Sequence, residues 1–102
     1  MKAPARVAGK GGAPAKTADV ESGLLGGWSA AGTGRPRKHS LTIAGHRTAV
    51  SLEEPFWAAL RLVAERLEVP LARLVAEIDA VRGQTSLSSA IRLFVLYERS
   101  RR

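Results

Sequence analysis

Two histidines (His39 and His46), a serine group (Ser86, Ser88 and Ser89) and one close acidic pair (Glu77 and Asp79) are the residues whose types suggest chemistry. Each set falls short of a site. A hairpin would bring the two imidazoles together, but no carboxylate stands near them, and the chain has no cysteine to complete a metal cage or act as a thiol nucleophile. The serines lack a histidine base in their part of the chain and sit where a helix opens, which capping explains. Glu77 and Asp79, two apart on a helical stretch, point to different sides. No glycine run has the G-x-x-x-x-G-K spacing that cradles phosphate between a strand and a helix. These residues predict no enzyme, no metal and no cofactor. The remaining chemistry is cationic: Arg35-Pro36-Arg37-Lys38 and Arg47, in a chain of formal charge +7, are suited to binding anions.

Residues 1–38 carry seven Lys/Arg against two acids (+5), and residues 39–102 carry nine against seven (+2). Eight of the ten glycines precede Thr42, together with Pro4, Pro14 and Pro36, and no helical or strand period survives among them. Residues 1–38 therefore read as a disordered basic tail, and 39–102 as one small domain. The tail's one apolar island, Leu24, Leu25 and Trp28, reads either as a short docking motif or as incidental. The longest apolar runs, Phe56–Leu60 and Leu93–Tyr97, are five residues each, against the ~20 a membrane span needs. Met1 to Lys10 offers no signal peptide. No membrane association and a cytoplasmic location are expected.

The elements that position the cations follow from periodicity. Leu41 and Ile43 alternate with Ser40 and Thr42, and Thr48, Val50 and Leu52 alternate with Arg47, Ala49 and Ser51, which is the period of strands. Gly45 between the runs fits a hairpin or a single extended segment bent at that glycine. Ser51-Leu52-Glu53-Glu54 has capping-box spacing and Pro55 suits a first helical turn, so a helix starts there. Its stripe is Phe56, Leu60, Val63 and Leu67, with Trp57 and Ala64 at the margin, Leu62 off the stripe, and Arg61 four residues from Glu65. Pro70 ends that helix, and a second opens near Leu71 with Leu71, Leu74, Val75 and Ile78 inward and Gly83 as its stop. A third, capped by Thr85 or Ser86, carries Leu87, Ile91, Phe94 and Val95 toward Tyr97. The stripes make a core, small for one chain. A lone strand needs a partner, most simply the same strand of a second copy about a two-fold axis.

The order of strand, helix, turn and helix resembles the ribbon-helix-helix superfamily of bacterial DNA-binding proteins, the MetJ and Arc type. The resemblance rests on Thr42-Ile43-Ala44-Gly45-His46-Arg47-Thr48 through Phe56-Trp57, Leu74-Val75-Ala76-Glu77-Ile78-Asp79, and Leu87-Ser88-Ser89-Ala90-Ile91-Arg92-Leu93. It covers roughly 39–98 and is closest to a bacterial subgroup with an extra C-terminal helix. It implies a mainly α fold with a short β-ribbon, built as an intertwined homodimer, in which alternate ribbon side chains read base edges in the major groove.

Carried onto this chain, the resemblance makes Arg47, Ala49 and Ser51 the base-reading residues: Arg47 toward guanine, Ser51 toward either base type, Ala49 toward a thymine methyl. Without it, Arg47 is a solvated edge residue and Ser51 a helix cap. The family holds phosphate on the N-terminus of its second helix, here Leu71, Ala72 and Arg73, although Pro70 stands where a capping serine is common and contributes no donor. Arg37 and Lys38 would follow the phosphates beside the groove, or serve only solubility. The function so implied is a homodimeric transcriptional regulator binding double-stranded DNA. The alternative is a protein-interaction module on the same scaffold, docking a partner through the Leu87–Tyr97 helix, since Ala49 and Pro70 are poor choices for DNA contact.

Overall fold

The computed structural model describes residues 23–101, and the expectation of disorder over 1–22 lies outside them. Residues 23–32 belong to a unit of their own, with turns closed by Gly26 N–H to the Gly23 carbonyl (3.1 Å) and Trp28 N–H to the Leu25 carbonyl (3.0 Å). Leu24, Leu25 and Trp28 are exposed.

The second unit begins at Thr33 and contains β1 (Arg37–Ile43), β2 (His46–Leu52), α1 (Glu54–Leu67), α2 (Leu71–Ala80) and α3 (Leu87–Ser100). This is a two-stranded antiparallel ribbon followed by three helices. The strands pair within the chain, from Arg37 opposite Leu52 to Ile43 opposite His46. Ala44 (φ 51°) and Gly45 (φ 83°) form the connection. Positive φ at both central residues is the turn whose twist matches that of the flanking strands.

Three expectations change here. The partner strand of β2 is β1 of the same chain, so the need to borrow a strand disappears. Arg37 and Lys38 are the first residues of β1 and not the end of a tail. Ser51 is not the helix cap: it lies in β2 opposite Lys38, α1 is N-capped by Glu53 without a side-chain bond, and the first helical amides turn back to the Glu53 carbonyl (Phe56 N–H at 2.9 Å, Trp57 N–H at 3.2 Å).

The core lies between one face of the ribbon and the three helices, with Ile43, Val50 and Leu52 meeting Trp57, Leu60, Val63, Ala64, Leu74, Val75, Ile78, Ala90, Ile91 and Val95. Each fully buried large side chain contributes about 1.5–3 kcal/mol of transfer free energy. The α1 stripe is turned by one position from the sequence reading. Trp57 and Ala64 are buried, whereas Phe56 is half-buried and Leu67 is 53% exposed. The indole explains the choice: Trp57 is the largest fully buried side chain among the described residues, and its Nε1–H donates to the Arg37 carbonyl at 2.9 Å, so the indole nitrogen is not left unpaired. His39 packs edge-on against that indole, with ring centroids 4.4 Å apart.

The helix ends follow local chemistry. Glu68 closes α1 in the left-handed region (φ 59°), and the Val69 N–H donates to the Ala64 carbonyl at 3.0 Å, a Schellman-type closure on a residue that is not glycine. Pro70 caps α2 by backbone alone, as expected of a residue without a side-chain acceptor. Ser86 caps α3, its Oγ accepting from the Ser89 N–H at 3.2 Å. Arg61 pairs with Glu54 (3.5 Å) and not with Glu65.

Candidate nucleic-acid interface

Strand parity divides the ribbon into two faces. Residues 39, 41, 43, 48, 50 and 52 turn toward the helices, and the opposite face carries Lys38, Ser40 and Thr42 of β1 with Arg47, Ala49 and Ser51 of β2. The register sets them side by side as Lys38 with Ser51, Ser40 with Ala49, and Thr42 with Arg47. Cross-strand neighbours of this kind lie ~5 Å apart at Cβ. The outer face therefore holds two cations, three hydroxyls and one methyl, and no carboxylate.

Arg47 is exposed at the turn end, and its Nη1 donates to Thr42 Oγ1 at 3.5 Å, the long limit of a hydrogen bond. Ala49 beside it is exposed, and Ser51 is half-buried. The Ser51 carbonyl accepts from Ser88 Oγ at 3.0 Å, so α3 holds the open end of β2. Next to that bond, Arg92 Nε donates to Glu53 Oε1 at 3.0 Å, and the Arg92 guanidinium stands 5.8 Å from the centroid of the Phe56 ring. The Arg92 hydrogen bond, together with a backbone one, holds the Glu53 carboxyl below its ordinary value. Both contacts fix the ribbon's end against the helices.

Most cations of the helices are ion-paired and those of the ribbon are not. Arg61, Arg66, Arg73, Arg82, Arg92 and Arg101 each lie within ion-pair distance of a carboxylate. Among the described residues, Arg35, Arg37, Lys38 and Arg47 at the ribbon and Arg99 on α3 have no such partner. Within the described residues the ribbon's positive charge is not neutralised by a carboxylate.

The phosphate residues expected from sequence are dispersed. Lys38 shares the outer face with Arg47, whereas Arg37 has the parity of the helix-packed face, at its exposed margin, and its carbonyl receives the Trp57 N–H. Leu71 and Ala72 lie in the first turn of α2, ahead of the first amides bonded back to Pro70 (Arg73 at 3.0 Å, Leu74 at 3.2 Å). Arg73 is exposed and 3.5 Å from Glu77. His39 and His46 occupy register positions four apart, and among the described residues no group of three His, Cys, Asp or Glu could hold a metal. Sequence reasoning did not assign Ser40 and Thr42. Their alternation with Leu41 and Ile43 carried the signal, but it points outward onto a shared face only once the hairpin is chosen.

Among the described residues no helix is long and apolar enough to cross a membrane. No curated protein and no solved structure matches the chain. The family described as the ribbon-helix-helix domain matches residues 36–98, from the start of the ribbon almost to the end of α3.

Proposed function

Because the chain belongs to the ribbon-helix-helix family, a family of DNA-binding, transcription-regulator-type proteins, we propose that it is a homodimeric, sequence-specific regulator that reads the major groove with its β-ribbon. The observation that carries this reading is the outer ribbon face, cationic and hydroxyl-bearing, free of carboxylates, and on the side away from the core. Two antiparallel strands ~4.8 Å apart suit a groove ~12 Å wide. Arg47 faces guanine O6 and N7, Ser51 accepts or donates to either base type, and Ala49 meets a thymine methyl. Lys38 and Arg37 flank the groove toward phosphate, and the free amides of Leu71 and Ala72, with Arg73, offer a second anchor at the positive end of α2. Exposed Leu62 on α1 and Leu93, Leu96 and Tyr97 on α3 supply apolar surface for the second chain.

The test is selection of duplexes from a random-sequence pool at two salt concentrations. The regulator enriches an inverted repeat and binds it with a steep salt dependence. The variant Arg47→Ala loses ~1–3 kcal/mol of binding and relaxes specificity at one position of each half-site. A second reading, an interaction module docking a protein through the Leu87–Tyr97 helix, rests on the exposed Leu93, Leu96 and Tyr97 (58–63% exposed). It expects no enriched sequence and no effect of Arg47→Ala on its partner.

A further inference from the structure

We propose that β1 also reads DNA: Ser40 contacts bases directly, and Thr42 positions the Arg47 guanidinium. The inference rests on the ribbon being the DNA-reading element and extends that element from one strand to both. A chain contributing only β2 would present Arg47, Ala49 and Ser51. The in-chain hairpin adds Ser40 and Thr42 on the same outward face, in direct register with Ala49 and Arg47.

Ser40 is exposed at the middle of the ribbon, and its only cross-strand neighbour on that face is the methyl of Ala49, too short to cover it. Its hydroxyl serves no hydrogen bond among the described residues. A free hydroxyl beside a methyl donates to or accepts from a base edge while the methyl meets a thymine. Ala49, the weakest of the base-reading residues by itself, thereby becomes half of a pair.

Thr42 acts through its neighbour. Its Oγ1 accepts from Arg47 Nη1 at 3.5 Å, which draws the guanidinium across the ribbon toward β1 and leaves its remaining N–H groups open. An arginine reading guanine bidentately needs both donors in one plane, and a long side chain loses rotamer entropy in reaching that plane. A cross-strand acceptor reduces that loss before DNA arrives.

The experiment uses the full chain, the duplex that the wild type enriches from a random pool, and a scrambled duplex of equal length. Ser40→Ala and Thr42→Val each lower the preference for the enriched duplex over the scrambled one by about fivefold, the scale of one hydrogen bond. Affinity for the scrambled duplex and its salt slope stay as in the wild type. Thr42→Val relaxes preference at the same base position as Arg47→Ala, and Thr42→Ser, which keeps the acceptor, restores it. All four replacements are on exposed strand positions, and thermal melts verify folding. The proposal is overturned if Arg47→Ala loses the preference while Ser40→Ala and Thr42→Val keep it in full. If the wild type enriches no sequence, the ribbon reading itself fails and takes this inference with it.

Discussion

Glu98 is a buried carboxylate (8% exposed) at the α1–α3 joint, with Arg66 Nη2 at 2.7 Å from one oxygen and Arg101 Nη1 at 3.0 Å from the other. Replacing it by glutamine keeps its shape and one carbonyl oxygen but removes the charge. Hydrogen bonds to a charged group contribute ~1.5–3 kcal/mol and neutral ones ~0.5–1.5; glutamine weakens one bond and loses the other, because its amide nitrogen cannot accept from an arginine, at a cost of about 2–3 kcal/mol if both are fully desolvated. They are not: the Arg66 and Arg101 side chains are 45% and 58% exposed, and water screens both. The expected loss for Glu98→Gln is therefore about 1 kcal/mol. In a domain of this size that lowers Tm by about 4–8 °C, measurable by thermal circular dichroism at low salt. Arg66→Met combined with Glu98→Gln should lose less than the sum of the two single changes, because the charge interaction can be removed only once. The reasoning fails if Glu98→Gln melts with the wild type, or if the two losses add, since either result means the contact holds nothing.

Three further outcomes follow from local geometry. Ala44 sits at positive φ where asparagine is favoured, so Ala44→Asn should raise stability by about 0.5–1 kcal/mol in denaturant titration, with an unchanged m-value. Glu68→Gly removes the cost of a left-handed non-glycine residue at the end of α1 and should stabilise by up to about 1 kcal/mol in the same assay; a loss would mean that the Glu68 side chain supports the turn. Glu53 has its carboxyl lowered by Arg92, so its contribution is fully present above the ordinary value of 4.5 and is lost as pH falls through the lowered folded value. The stability gap between the wild type and Arg92→Met should then be flat above 4.5 and narrow on acidification, and a gap that widens would refute the assignment.

The helices were legible because their signals are local. Pro55, Pro70 and Ser86 act within one turn of their positions, and Leu74, Val75 and Ile78 recur at the spacing of a single buried face. The hairpin is not decided by sequence because Gly45 serves a bend and a turn alike. What decides it is Ala44 at positive φ, a conformation that its residue type disfavours and that only strand pairing imposes. The capping box misled for a related reason: Ser51 has the right spacing for a cap, but the ladder opposite Lys38 holds it in extended backbone. The α1 stripe was turned because Phe56 and Trp57 are adjacent, and periodicity alone cannot choose between neighbouring aromatics. The Arg37 carbonyl that receives the indole N–H is twenty residues away in sequence. Of the outer ribbon face, β2 was legible and β1 was not, since its role depends on register.

A ribbon closed by a two-residue turn within one chain forms by a first-order process. Hairpins of this size close in microseconds, and the rate does not depend on how many copies are present. A ribbon assembled from one strand of each of two chains would be second-order, and dilution would dissolve it. In the proposed homodimer, dilution would separate the two chains while each keeps its own paired strands. Concentration would then set how many ribbons act together on one duplex, and leave intact the surface with which each one meets it.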